Sequence, residues 1–307
     1  MLAPILLFVY NRPWHTRQTL NALSSNLLAD ESILYIYSDG PKEDANQVDL
    51  NKIREIRDLI NERSWCGDVR VIERSDNLGL ANSIISGVSE IINKYGKVIV
   101  LEDDILTGKY FLQFMNEALE VYEYEKKVFG VSGFKYPSTK RIKDSTYFLP
   151  IACSWSYATW KDRWDKVNFD GKKLLAEIES KGIQKELDFG GIEFYSMLKD
   201  QIEGRVDSWA IRYYVSMFLE NAYFFYPNLS LVSNIGFDNS GVHCGTDQYF
   251  SKNPHSLKNI NVVHTEVKLK RSIIKIIADS FNKKNTKESR LGLFKKKLNL
   301  FLKFRKY

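Results

Sequence analysis

Glu102, Asp103 and Asp104 stand in a row directly after Lys97-Val98-Ile99-Val100-Leu101. Three adjacent carboxylates repel one another and pack nothing, so a cation is what such a cluster is suited to hold. An all-oxygen set favours a hard divalent ion, Mn2+ or Mg2+. The competing reading is a solvated acidic turn at the start of the next helix, where negative charge is also favourable. Other polar residues follow apolar runs in the same manner: Tyr10 and Arg12, then Asp39, then Asn77. Together they suit a nucleotide-sugar donor. Tyr10, Asp39 and Asn77 offer stacking and hydrogen bonds to base and ribose, while Arg12 and a metal on Asp104 suit the phosphates. The matching chemistry is displacement at the sugar's anomeric carbon, with a divalent ion stabilising the charge that builds on the departing diphosphate.

The elements that must position these residues alternate. Residues 4–10 and 32–38 read as strands, the second ending in the turn Asp39-Gly40-Pro41. Asn11-Arg12-Pro13 offers a cap and an N1 proline for a helix reaching about residue 28. Leu50, Ile53, Ile56, Leu59 and Ile60 recur at helical spacing; 69–72 is a short strand, 78–95 a helix, and 97–101 a continuous apolar run typical of a buried strand. Alternation of this kind builds an α/β fold with a mostly parallel sheet flanked by helices, and ligands bind beyond the carboxyl ends of its strands. Further on, 110–124 reads as helix, 128–134 as strand, a helix runs from about Trp209 to Glu220, and 223–226 is a strand. Between them lies an aromatic, irregular stretch with Trp155, Trp160 and Trp164, either core or a flat apolar face for a sugar ring.

Composition agrees with a folded chain of 307 residues, 44% hydrophobic and 13% aromatic. Cys66, Cys153 and Cys244 are scattered and odd in number, which suggests neither a disulfide framework nor a zinc site and fits a reducing cytoplasm. The net charge of +6 conceals two regions. Fourteen lysines and arginines stand against Asp279 and Glu288 from Lys268 onward, a balance of +12 that leaves −6 for the preceding residues. Division into a domain at 1–265 and a basic tail at 266–307 follows.

The chain resembles GT-A fold glycosyltransferases, a Rossmann-like group, close to the family 2-like bacterial enzymes and with features of the N-acetylglucosaminyltransferase I family. The resemblance covers about residues 4–250 and rests on Val9-Tyr10-Asn11-Arg12, Ser38-Asp39-Gly40, Leu101-Glu102-Asp103-Asp104, and Asp207-Ser208-Trp209 with the loop around His243. It implies that Asp104 is the direct metal ligand, that Asp103 and Glu102 contact ribose or donor sugar, and that Asp39 binds uracil or ribose. It further implies that Tyr10 stacks on the base, that Asn77 contacts it, and that Arg12 meets base or phosphate. Asp207 would be the general base of an inverting transfer, with Asp162 or Asp165 as substitutes; the other reading of Asp207 is a helix cap. His243, in a Gly-rich loop, would reach the metal or the diphosphate, or neither.

In the tail, Ile273, Ile274, Ile276, Ile277 and Phe281, then Leu291, Phe294, Leu298, Phe301 and Leu302, recur among lysines at helical spacing. That is the pattern of an interfacial amphipathic helix on anionic lipid, or of helices packed on the main body. With the resemblance it points to a peripheral enzyme on the inner face of the cytoplasmic membrane. Such an enzyme would transfer sugar, from a UDP-sugar, to a glycan or lipid-linked acceptor in cell-surface polysaccharide or lipopolysaccharide assembly; no nucleic-acid partner is expected. The rival readings are a membrane- or nucleic-acid-binding protein acting through its tail, and a sugar nucleotidyltransferase. The latter expects a glycine-rich phosphate loop where Tyr10-Asn11-Arg12-Pro13 stands.

Overall fold

The computed structural model describes residues 1–238 and 255–290. The first half is three consecutive strand-helix-strand units. β1 (Ile5–Val9), α1 (Pro13–Ser24), β2 (Ile33–Ser38), α2 (Gln47–Asn61), β3 (Asp68–Glu73), α3 (Gly79–Tyr95) and β4 (Lys97–Glu102) follow one another. β1 is buried at every position and Val98 to Leu101 of β4 are almost wholly so, as expected of parallel strands covered on both faces. Pro13 opens α1 as its first residue. Its N-cap, however, is Arg12 rather than Asn11, and Arg12 makes no side-chain cap bond. Asn11 instead donates to Asp49 at the start of α2, at 3.1 Å, which leaves the Arg12 side chain for other use.

The second half continues with β5 (Ile105–Thr107), α4 (Phe111–Val121), β6 (Val128–Ser132), β7 (Thr146–Leu149) and β8 (Tyr157–Trp160). Four helices come next, α5 (Lys161–Trp164), α6 (Gly171–Lys181), α7 (Gln184–Leu187) and α8 (Phe194–Ile202). The chain then runs through α9 (Trp209–Leu219), β9 (Tyr223–Pro227), β10 (Val232–Asn234) and α10 (Arg271–Arg290). Eight strands form one sheet in the order β3-β2-β1-β4-β8-β6-β9-β7, and β5 pairs with β10 in a separate ribbon. Only β8 and β7 run against the other six, so the sheet is mostly parallel and Rossmann-like.

The sequence alone announces neither β7 nor β8, and β8 lies within the aromatic stretch that reads as irregular. β8 is only four residues long, and all four are buried without polar alternation, so it carries no period to detect. Trp160 and Trp164 are core residues, each donating its indole N–H, to the Leu119 carbonyl at 3.0 Å and to Ser89 Oγ at 2.9 Å. Trp155, just before β8, stays half-buried.

The first apolar stripe of the tail belongs to the body. Ile273, Ile277 and Phe281 of α10 are buried, and the Phe281 ring packs against Tyr136 and Phe189. Thr139 donates its N–H and hydroxyl to the Ile276 carbonyl, and Lys270 pairs with Asp144 at 2.7 Å. Those apolar residues are therefore not a lipid-facing stripe; burying each contributes roughly 1.5–3 kcal/mol to the fold. The second stripe, from Leu291, lies outside the described residues. Among the described residues no helix is long and apolar enough to cross a membrane.

Candidate active site

β1 is the point where strand order reverses: β2 and β3 lie on one side, β4 on the other. A crevice opens at such a switch point, outside the carboxyl ends of the strands, because the helices leaving neighbouring strands depart to opposite faces. Phe8 of β1 stands beside Glu102 of β4. The residues just past these two positions, Arg12 after one strand and Asp103 and Asp104 after the other, therefore meet at this end of the sheet.

They meet through the guanidinium. Arg12 Nη2 bonds Asp103 Oδ1 in a short contact, Nε reaches Asp103 Oδ2 at 3.3 Å, and Nη2 lies 3.1 Å from Asp104 Oδ2. Side-chain exposure is 17% for Arg12, 7% for Asp103 and 6% for Asp104, so water screens these charges poorly. Burial lowers the pKa of Arg12, but Asp103 and Asp104 more than reverse this and hold it well above its ordinary value. Asp103 is raised by burial, with Arg12 opposing and Asp104 adding to the rise. Glu102 keeps some contact with solvent but lies deep among protein atoms, as at the floor of a cleft. Burial, then Asp104 and Asp103, raise it to about 8 against the pull of Arg12.

Two features hold this group in place. Thr19 of α1 donates its hydroxyl to the Asp103 carbonyl at 2.8 Å. The other is the segment 232–238. Asn234 of β10 pairs with Ile105 of β5, Ile235 donates its N–H to the Asp104 carbonyl at 2.9 Å, and the Asn234 side chain accepts from the Gly236 N–H at 2.7 Å. Gly236 then lies flat on the site, since a Cβ there would overlap Asp104 Oδ2. Beyond it the Phe237 ring sits 5.4 Å from Trp155, and Asp238 Oδ2 lies 3.0 Å from His15 Nε2. A glycine after Asn234-Ile235 was the available sequence signal, but nothing local revealed that it would face Asp104.

Asp39 and Asn77 form a neighbouring cluster at the end of β2. The buried Asp39 carboxylate accepts from the N–H groups of Leu78 and Gly79 at 3.1 Å, capping α3 from another element. Asn77 donates to the Gly40 carbonyl at 2.9 Å. Gly40 has no room for a side chain against the Ser75 carbonyl, which explains the glycine at that turn. Tyr10 is half-buried; burial raises its pKa, a backbone bond with Lys42 opposes, and Asp49 and Asp39 add to the rise.

Asp207 stands apart from these. It is exposed and lies 3.6 Å from Arg212, with no bond to the acidic group. It does not cap α9, because Ser208 accepts from the Ile211 N–H at 3.1 Å in that role. Trp209, which follows, packs its ring 5.2 Å from Tyr157, and Tyr157 is paired with Val100 near the end of β4. α9 thus starts near the rim that carries Glu102. Asp162 and Asp165 do not: Lys161 bonds the Gly96 carbonyl at the other end of β4, where Asp162 pairs with Lys126 and Asp165 with Lys161. Their distance from the carboxylates removes them as substitute bases. His243 and Cys244 lie outside the described residues; Cys66 and Cys153 are buried and free.

No family description matches the chain, and no curated protein matches it. Among solved structures it is similar to S. aureus TarS 1-349, at 13% identity over 74% of this chain and 60% of that one, with a TM-score of 0.37. The same protein in complex with UDP-GlcNAc gives 13%, 74%, 58% and 0.36. UDP-glucose pyrophosphorylase complexed with UDP-glucose gives 14% identity over 57% of this chain and 80% of that one, with a TM-score of 0.29. The chain thus spans about 60% of the length of TarS 1-349. At these scores the likeness assigns neither a family nor a reaction.

Proposed function

We propose that the protein is a GT-A type glycosyltransferase that moves a sugar from a nucleotide-diphosphate donor, a UDP-sugar, to an acceptor hydroxyl. The observation that carries this is the meeting of Arg12 with Asp103 and Asp104 at the strand-order switch point. A base and ribose would lie toward Tyr10, Asp39 and Asn77, and the diphosphate toward Arg12 and Asp104.

The residues fit a divalent ion of one particular kind. Among the described residues no three acidic, histidine or cysteine side chains converge to enclose a metal. Mg2+ and ions like it are commonly held by one or two carboxylates together with substrate phosphates rather than by a complete protein cage. Asp104 would hold such an ion together with the bound diphosphate. When bound, the ion supplies electrophilic stabilisation of the diphosphate leaving group.

The chain's own residues do the rest. Arg12 meets charge on the diphosphate, in a site where burial strengthens the interaction. Asp207 takes the proton of the acceptor hydroxyl as its oxygen bonds the anomeric carbon; the bond from that carbon to the diphosphate breaks and its electron pair leaves with the diphosphate. Attack from the opposite face inverts the anomeric centre. A glycan or lipid-linked acceptor, a place on the inner face of the cytoplasmic membrane and a role in cell-surface polysaccharide assembly are part of the same proposal, supported by the basic apolar residues from Leu291 onward.

A thermal-shift screen of nucleotide sugars, with and without Mn2+, tests the donor reading, since a ligand of the native state raises its apparent stability. One UDP-sugar should stabilise the protein more with Mn2+ than without it, and Asp104→Ala should lose the Mn2+ increment. Absence of stabilisation by every nucleotide sugar would overturn the reading.

A further inference from the structure

We propose that Arg12 is a built-in counter-cation of the acidic pair, which yields Asp104 to a divalent ion and turns to the donor's diphosphate as it does so. The inference rests on the nucleotide-sugar reading above and adds an exchange between two cations at one carboxylate.

The geometry is asymmetric. Asp103 is held through both of its oxygens, Oδ1 by Nη2 and Oδ2 by Nε, whereas Asp104 is held through Oδ2 alone, which lies 3.1 Å from both Nη1 and Nη2. Two-point guanidinium-carboxylate pairing is the stronger and better-oriented kind, so the Asp104 contact is the one that can be given up while Arg12 stays anchored. Arg12 supplies one positive charge beside the two carboxylates of Asp103 and Asp104, so the pair has charge to share with a second cation. Burial of all three partners raises the cost of leaving a carboxylate without its cation, so Arg12 leaves Asp104 only as another cation arrives. Gly236 brings main chain against Asp104 Oδ2, and a Cβ there would also lie 3.2 Å from Arg12 Nη1, so the glycine leaves the guanidinium room beside the carboxylate.

Two consequences are measurable. A divalent ion by itself must displace a guanidinium and binds weakly; with a nucleoside diphosphate present the released guanidinium has a new anionic partner, so each ligand strengthens the other. Free Mn2+ can be titrated by electron paramagnetic resonance against the full chain, first alone and then with UDP. Arg12→Met, which keeps length and removes charge, should bind Mn2+ alone at least about tenfold more tightly than the parent, and the gain in Mn2+ affinity caused by UDP should shrink correspondingly. Arg12→Lys, with a shorter point charge that cannot span both carboxylates, should fall between them and decides the matter if Arg12→Met does not fold. Mn2+ binding to the folded variant that is equal to or weaker than that of the parent overturns the proposal. Failure of the donor reading is distinguishable, because it appears as absence of UDP-sugar binding, whereas the comparison with Mn2+ alone needs no nucleotide.

Discussion

Gly236 lies against the carboxylate of Asp104 so closely that a Cβ would overlap Oδ2. Gly236→Ala should therefore push the 232–238 segment or the carboxylate aside while leaving the sheet untouched. Turnover should fall by about 10- to 100-fold, as expected of a small misplacement beside the reacting atoms, with little change in thermal stability. Parent-like kinetics in this variant would show that Asp104 is not held by that segment during reaction.

Asp207→Asn separates catalysis from helix capping, because Ser208 already caps α9. Transfer should drop by about 10² or more with donor affinity unchanged. Ser208→Ala should behave in the opposite way, costing about 1 kcal/mol of stability. NMR of the product should show an inverted anomer; a retained anomer, or an active Asp207→Asn protein, would remove Asp207 from the base role.

Glu102 makes stability depend on pH. Its pKa in the folded protein is about 8, against an ordinary 4.5, so between those values the folded state holds a proton that the unfolded chain has released. Stability from this group is present at low pH and is lost as pH rises through that window. Glu102→Gln is neutral throughout, so its Tm should gain on that of the parent from pH 5 to above 8 in metal-free buffer. Parallel Tm curves for the two proteins would contradict the raised pKa.

The tail should divide in two. Ending the chain after residue 290 keeps Ile273, Ile277 and Phe281 in the core and should leave Tm and donor binding intact while abolishing sedimentation with anionic vesicles. Ending it before residue 271 removes three buried apolar side chains and should lower Tm markedly. Unaltered vesicle binding after the shorter deletion would place the lipid-binding residues elsewhere.

The first half of the fold was legible because β1, β2 and β4 carry apolar runs, β3 sets two valines and an isoleucine about Arg70, a helix follows each of β1, β2 and β3, and each carboxyl end was marked by a polar residue. The meeting of Arg12 with Asp103 and Asp104 follows from that order alone, once β1 and β4 are neighbours. The second half was less readable. β8 and β10 are three or four residues long, and their places depend on partners far away in sequence, Val100 and Ile105. The isoleucines of α10 look the same whether lipid or protein covers them. Periodicity identifies an apolar face, and only the packed structure shows that Tyr136 and Phe189 meet Phe281 on it.

The position of β8 has a consequence for the order in which the molecule is made. β4 leads into the three carboxylates, and its second neighbour in the sheet, β8, is encoded only after α4, β6 and β7. During synthesis, therefore, β3, β2, β1 and β4 can assemble as a four-stranded unit whose open border is β4 itself. An uncovered strand of Val98, Ile99, Val100 and Leu101 is a template for pairing with another nascent chain, and charge at its end opposes such pairing. Glu102, Asp103 and Asp104 thus guard a temporary border on the growing chain before Gly236, synthesised much later, packs against Asp104.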